Sequence, residues 1–593
     1  MELQIFWATG FTLLVWATFF SVFSGVGLLV SAPFRKKSFN AENWLMSFWV
    51  GWASTIFLLQ IGQIFLKVDY RLLTIVSLIG AVGLTLGRAD LAQFMKKLPK
   101  HYFVLFVFLA ASLLTANRAL QAERLSDSGL YYLNYVRWVA EYPVVPGLGN
   151  LHIRLALNSP YFLYVALLGT LPYSPGHFAN GLLILVFFAQ VLLSIRRVLA
   201  KQGAGRADVF CGFCLFPAVT LFFSDAVPSL SPDLPVFILG FVVSAQLLRL
   251  IEAHRFDQSN EHVLFSIVVV ALAGVLVRYG FFVFGAASLY WGVYAYRQKS
   301  EVGRIRIRWM PKWLTAIAAI AILPAVYRNI VLTGYPFFPV TYGALPVIWQ
   351  VPQSVVSDYT NWVMSWARTP GPHWSTVLGN WDWIKPWIIR TSGNSDVVYP
   401  MILTFAALIL IAMQHFKKRI LGKTVESAIV FIPPLLSLIC WFFVAPDPRF
   451  AGASFWVIGL LALTLAVYLS RHLKKIFAVY ITICLLYAAS QIFVDDGGLI
   501  PALNDKGLEG ALKQLRWNLV PAGYDSGFHR TEPVGLKHYV TNSGLAVYVP
   551  AEGDGCFDSP LPCTPEPNPA LNLLNGNDLG GGFYVQTKNA SGS

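Results

Sequence analysis

Charge is what this chain has least of. Charged residues make up 12% of it, against about 25% in an ordinary soluble domain, and they fall in short stretches between long apolar runs. That deficit excludes a soluble globular protein and points to a polytopic membrane protein. Nucleotide signals are missing as well. There is no Gly-x-x-x-x-Gly-Lys-Ser/Thr loop, so cytosolic ATP is not the expected energy source. No His/Cys/Asp set has zinc-ligand spacing. The chain has six Cys. Cys211 and Cys214 form a C-x-x-C at the start of an apolar run, which reads as buried structural thiols rather than a redox pair. Cys440 and Cys484 also lie inside apolar runs. No internal repeat is visible, which counts against a transporter built from inverted halves. The first apolar run, from Ile5, lacks a basic region before it and a small-residue cleavage site after it. It reads as a retained transmembrane helix.

What is present is apolar and aromatic. Hydrophobic residues reach 56% and aromatics 15%, with 19 Trp. Some of these belong to an interfacial belt, and their number also suits an apolar groove for a lipid chain. The net charge is +14. Its Lys and Arg cluster at 35–37, 88–100, 196–206, 254–255, 297–308, 417–419 and 471–475. On a soluble protein this would suggest nucleic acid; here the clusters mark cytoplasmic loops, and no nucleic-acid partner is expected. Alternation then runs through the whole chain, provided the short run 160–173 does not cross. The expected fold class is an all-α polytopic membrane protein of about 14 transmembrane helices. It has outer-face interfacial helices and a small C-terminal extracytoplasmic appendage. The expected units are N-terminal transmembrane helices (1–116), an outer loop with an acid and an interfacial helix (117–159), a transmembrane core (160–328), a large aromatic outer loop (329–398), C-terminal transmembrane helices (399–493) and an extracytoplasmic tail (494–593).

The outer loop 117–159 carries most of the candidate chemistry. Asp127 lies just before an amphipathic stretch, 129–142, whose Trp138 and tyrosines, Tyr131 among them, suit the headgroup level. A carboxylate there could take a proton from an attacking hydroxyl. Ser126-Asp127-Ser128 also reads as a helix N-cap, and the two roles are compatible. Glu123 is the second acid. His152 and Arg154 follow a Gly-Leu-Gly-Asn turn and could contact a phosphate or an acceptor. Elsewhere on the outer face stand Asp225 and Asp233, the latter opening a helix with Pro in its first turn. Arg449 lies in Ala445-Pro-Asp-Pro-Arg449-Phe-Ala-Gly452. An arginine at that depth is costly unless it meets an anion. A lipid-linked phosphate would satisfy it with paired hydrogen bonds, and a salt bridge to Asp447 or to a loop acid is the alternative. Arg278 and Arg328 end apolar runs on the same side and are further phosphate candidates, or snorkel to headgroups. Arg368 and His373 complete the set, although each single His also reads as a hydrogen-bonded loop residue. Cys556 and Cys563 sit in a polar tail and would pair locally if that tail is outside the cytosol.

An acid in the first sizeable outer loop is followed by interfacial helices. Asn158-Ser159-Pro160-Tyr161-Phe162-Leu163-Tyr164 then leads into a short helix. This order resembles the GT-C class of membrane glycosyltransferases. The resemblance implies Asp127 as general base and a polyprenyl-phosphate-linked sugar as donor. It also implies an envelope glycan or glycolipid acceptor and an active face outside a bacterial inner membrane. Many members have paired acids at this place; this chain has Ser126-Asp127-Ser128, which leaves a divalent cation open as cofactor. Four apolar runs precede the acidic loop, where one is common. Pro146-Gly-Leu-Gly-Asn-Leu-His-Ile-Arg154 and Asp554-Gly-Cys-Phe-Asp-Ser-Pro-Leu-Pro-Cys-Thr-Pro565 also resemble an uncharacterised bacterial group of multi-spanning membrane proteins, which brings no activity with it. A polymerase or ligase using polyprenyl-diphosphate glycan is the near alternative, with Arg368 and His373 central. A lipid or glycan transporter is the distant one.

Overall fold

The structure, a computed structural model, describes residues 2–34, 41–89, 91–92, 102–121, 123, 125–171, 174–200, 204–252, 258–298, 304–416, 429–468, 470, 472–493, 503–504, 507–512 and 534–586. Nineteen of its helices are numbered here. They are α1 (Glu2–Val30), α2 (Ala41–Phe65), α3 (Tyr70–Leu86), α4 (Tyr102–Ala119), α5 (Leu133–Glu141), α6 (Tyr161–Leu168), α7 (Gly176–Ala200), α8 (Arg206–Phe213), α9 (Leu215–Phe222) and α10 (Asp233–Glu252). They continue with α11 (Gln258–Val277), α12 (Phe282–Gln298), α13 (Arg304–Thr333), α14 (Gln353–Arg368), α15 (Ile384–Thr391), α16 (Ser395–Phe416), α17 (Ile432–Val444), α18 (Ser454–Val467) and α19 (Leu473–Phe493). Among the described residues nine helices are long and apolar enough to cross a membrane, and three shorter apolar helices accompany them. The chain is accordingly a multi-pass, largely helical membrane protein.

Two apolar runs depart from a plain crossing. The run 160–173 yields α6, whose eight residues are all buried. At 1.5 Å per residue it extends about 12 Å, well short of a bilayer. The run 207–223 is broken at Cys214 into α8 and α9. Pro217 explains the break, because it has no N–H for the Phe213 carbonyl and its ring crowds that oxygen. The freed carbonyl accepts a hydrogen bond from the Tyr480 hydroxyl of α19. Elsewhere small residues let helices close up. A side chain at Gly25 or Gly83 would strike the facing backbone between α1 and α3, the kind of contact that holds helices together where lipid removes the hydrophobic drive.

The bundle has chemically distinct ends. At one, Glu42 of α2 pairs with both Arg197 of α7 and Arg249 of α10. Arg197 also reaches Asp208 at 2.7 Å, and Arg206 reaches Glu252 at 3.8 Å. This ion network ties together the helix ends nearest the basic loops. The basic clusters 35–37, 254–255 and 417–419 lie outside the described residues. At the other end lie the short helices α5 and α6, and α14 and α15 of the outer segment, the last two tied to the end of α17 and the turn after it through Arg368 and Trp387.

The tail holds two small antiparallel sheets, β1 (Leu536–Val540) with β2 (Ala546–Pro550) and β3 (Leu571–Leu573) with β4 (Phe583–Val585). Cys556 and Cys563 form a disulfide. The tail docks onto the loop that carries Asp127. The Phe557 N–H donates to the Gly129 carbonyl at 2.8 Å, and the Phe583 N–H donates to that of Pro146 at 2.8 Å. Arg137 of α5 donates to the Asp558 carbonyl at 2.8 Å.

Candidate functional site

Two turns that are far apart in the chain meet to form the site. One is helical and contains Asp127, followed by a π-helical turn, Ser128–Tyr132, that runs into α5. Asp127 has helical backbone angles and its side chain makes no capping bond, so the N-cap expected of it is not formed. Its carboxylate faces the site instead. The other turn follows α17. There the Asp447 side chain accepts from the Arg449 N–H at 3.0 Å, and Gly452, at φ +54°, ends the turn. With Asp447 occupied by the backbone, the Arg449 guanidinium reaches Asp127 Oδ2 at 2.7 Å.

The pair extends into a row of alternating charge. Arg449 Nε lies 3.8 Å from Asp233 Oδ2, and Arg278 pairs with the other oxygen of Asp233. Asp233 is the first residue of α10, where Ser231 Oγ accepts its N–H at 3.2 Å; its carboxylate is therefore free to turn toward the arginines. Arg278 stands at the end of α11, where the backbone leaves the helix. Both guanidiniums lie against the Phe450 ring, at 5.2 Å and 5.0 Å, and Arg449 also lies 5.5 Å over Trp366. Tyr132 donates to Asp127 Oδ2 at 3.3 Å. Burial alone would lower the Arg449 pKa, but the neighbouring Asp127 carboxylate leaves it raised. The four charges cancel. The space between Asp233, Arg278 and Arg449 is about 10 Å³, room for roughly one water. A divalent cation would meet the Arg449 guanidinium between the two carboxylates, so the residues present do not fit one.

A family model described as a domain of unknown function, DUF8201, matches residues 11–456. The chain belongs to this family. The DUF8201 match takes in Asp127, Asp233, Arg278 and Arg449 and ends before the disulfide-bearing tail. No curated protein and no solved structure matches the chain.

Other candidates within the DUF8201 region are placed differently. Arg154 lies 5.0 Å over the Trp362 ring, close to the row. His152 is buried, and burial, then Arg154, pushes its pKa down to about 3. As a neutral imidazole it can offer an anion a hydrogen bond but no charge. Glu123 is not in the row; Ser128 donates to it, as does the Leu230 N–H at 2.8 Å. Burial lifts its pKa to about 7, against the pull of those two hydrogen bonds. It fastens the acidic loop to the turn before α10. Tyr131 packs edge-on against Tyr132, and its phenol is raised by burial and then by Asp127.

Arg328 is not exposed to a phosphate at all. It is fully buried and donates to Asn158 Oδ1 at 2.8 Å, to the Tyr135 hydroxyl at 3.0 Å and to Gln63. Its environment is that of an internal brace. Arg368 donates to the carbonyls of Met364, Val444 and Phe443 at 2.7, 3.0 and 2.6 Å, closing the end of α17 rather than facing the row. His373 is exposed and caps its own turn through Ser375. Asp225 is exposed and makes no ion pair among the described residues. Tyr132, Phe450, Trp366 and Tyr359 join the site without having been singled out in the sequence. Their one signal was adjacency to Tyr131 and Arg449 or membership of an aromatic loop.

Proposed function

We propose that this chain is a GT-C-like glycosyltransferase of a bacterial inner membrane, moving a sugar from a polyprenyl-phosphate carrier to an envelope glycan or glycolipid. The observation that carries the reading is the 2.7 Å pair of Asp127 and Arg449, at the end of the bundle away from the Glu42 ion network. The nine long helices, the three shorter apolar ones, α12 and the α8–α9 pair amount to about 14 crossings, with the site on the extracytoplasmic face.

In this reading the acceptor hydroxyl attacks the anomeric carbon and its proton passes to Asp127. The bond from that carbon to the phosphate oxygen breaks, and the electron pair leaves with the phosphate. Arg449 and Arg278 stabilise the charge growing there. The closed row implies an order of events: the donor phosphate takes the guanidinium of Arg449 from Asp127, and the released carboxylate becomes the base. The ligase reading has less support, because the donors of Arg368 are engaged by carbonyls and His373 caps a local turn.

The test is transfer by the purified protein from a panel of radiolabelled polyprenyl-phosphate sugars to envelope-lipid acceptors, with Asp127→Asn beside it. Activity in the wild type and its loss in the variant, with donor binding tightened rather than lost, is the expected result. Full activity in Asp127→Asn would remove the base assignment, and no transfer from any donor would remove the reading.

A further inference from the structure

Helix α14 presents Tyr359, Trp362 and Trp366 at i, i+3 and i+7, which puts them on one face. The Tyr359 and Trp362 rings lie within 19° of parallel with centroids 6.5 Å apart, and Trp362 and Trp366 within 28° at 6.4 Å. Rings piled face to face would be about 3.5–4 Å apart. These are instead offset along the helix, so the three rings cover one another only in part. Trp362 is 44% exposed.

The row is bounded by two arginines of different standing. Arg449, over Trp366, is engaged by Asp127. Arg154, over Trp362, forms no ion pair and its guanidinium makes no hydrogen bond among the described residues. Asp358, the acid beside Tyr359 on α14, does not pair with it. A guanidinium held over an indole, with its donors unused, is preset for a carboxylate. The aromatic faces are preset for the other half of the same ligand. Their negative quadrupole attracts the C–H faces of sugar rings. The Tyr359 phenol lies close enough to feel Arg154, Asp127, Arg278 and Arg449, so the row leads directly to the charged cluster.

We infer that the Tyr359–Trp362–Trp366 row together with Arg154 is a binding subsite for an anionic glycan, with sugar rings on the indoles and a carboxylate on Arg154. Its role as the acceptor subsite, delivering a hydroxyl past Trp366 to Asp127, rests on the glycosyltransferase reading; the binding itself does not.

Full-length protein in lipid nanodiscs, titrated calorimetrically with hexagalacturonate and with maltohexaose, tests the inference. Hexagalacturonate is expected to bind at least tenfold more tightly. Trp362→Ala should weaken it tenfold or more, and Arg154→Gln should bring the two saccharides to similar affinity. Trp381→Ala removes another exposed indole of the same outer segment (60% exposed) and should change nothing. Equal binding of the two saccharides, no binding of either at millimolar concentration, or unchanged affinity in Trp362→Ala would overturn the subsite. Transfer from a polyprenyl-phosphate donor with no such binding removes this inference alone. Binding without transfer removes the catalytic reading alone.

Discussion

Asp127 and Arg449 neutralise each other across 322 residues of sequence, and each therefore competes with a substrate for the other. Asp127→Asn should do two opposite things. It should abolish transfer, and it should tighten binding of polyprenyl phosphate several-fold, because Arg449 no longer has a carboxylate to leave. Equilibrium binding of labelled polyprenyl phosphate reads the second effect. Unchanged or weaker binding would mean that Arg449 does not meet the phosphate. Glu123 makes a pH prediction. Its pKa is raised by burial to about 7, so the folded state holds a proton that the unfolded state releases near pH 4.5. Its contribution to stability is complete below pH 4.5 and lost as pH rises through 7. Glu123→Gln should raise Tm by a few degrees above pH 7 and by nothing near pH 4.5, as followed by thermal unfolding in detergent. Arg328 tests the opposite case, a buried cation held by neutral groups. Arg328→Met leaves Asn158 Oδ1, Gln63 Oε1 and the Tyr135 hydroxyl oxygen without the donor they accept from, each at a cost of about 1–3 kcal/mol. A clear fall in Tm is expected, with donor affinity of the folded fraction unchanged. Altered affinity at unchanged Tm would return Arg328 to the site.

The elements that hold the site are short ones. The π-helical turn Ser128–Tyr132 sets Asp127 and Tyr132 on the same side, and the tail presses on that turn. A side chain at Gly129 would run into the Phe557 ring, whose backbone N–H is bonded to the Gly129 carbonyl. Gly129→Ala should therefore dislodge the disulfide loop and shift Asp127 with it. The expected result is a tenfold or greater loss of transfer together with faster proteolysis of the tail. Loss of transfer with a fully protected tail would mean that the tail has no part in positioning. The amphipathic period of 129–142 was readable in the sequence as an interfacial helix, and α5 occupies most of it. The π-helical start was not readable, because a one-residue change in helical pitch leaves no mark on the apolar pattern. Nor was the break between α8 and α9 taken from Pro217, since a proline near the outer end of an apolar run is also compatible with a continuous helix.

At the scale of the molecule, the charged row is packed tight on its Asp233 and Arg278 side and exposed at Arg449. The space between Asp233, Arg278 and Arg449 is about 10 Å³, too small for a phosphate, so the proposed donor phosphate would meet Arg449 from its exposed side. Trp387 of α15 donates to the Pro446 carbonyl at 2.5 Å and Arg390 to that of Ala367 at 2.6 Å. The large outer segment is thus fastened to both the Arg449 turn and α14.

By itself the sequence determined that the chain is helical and multi-pass, because apolar length and scarcity of charge are local properties that a bilayer reads directly. It also marked Asp127, Asp233, Arg278 and Arg449 as candidates, since an ionisable residue at the end of an apolar run is conspicuous wherever it stands. It separated Cys556 and Cys563 from the buried thiols by the same local polarity. Which candidates belong together was a matter for the tertiary structure alone. Arg278, Arg328 and Arg449 lie at or near the ends of apolar runs and Arg368 in the aromatic outer loop, and as outer-face arginines all four look alike in the chain. Only packing turned Arg449 to Asp127 and Arg278 to Asp233, while it closed Arg328 in among amides and a phenol and set Arg368 against the carbonyls at the end of α17. The physical reason is that a guanidinium takes whichever acceptors the fold brings within about 3 Å, and nothing in the spacing of a linear sequence fixes which helix ends will meet.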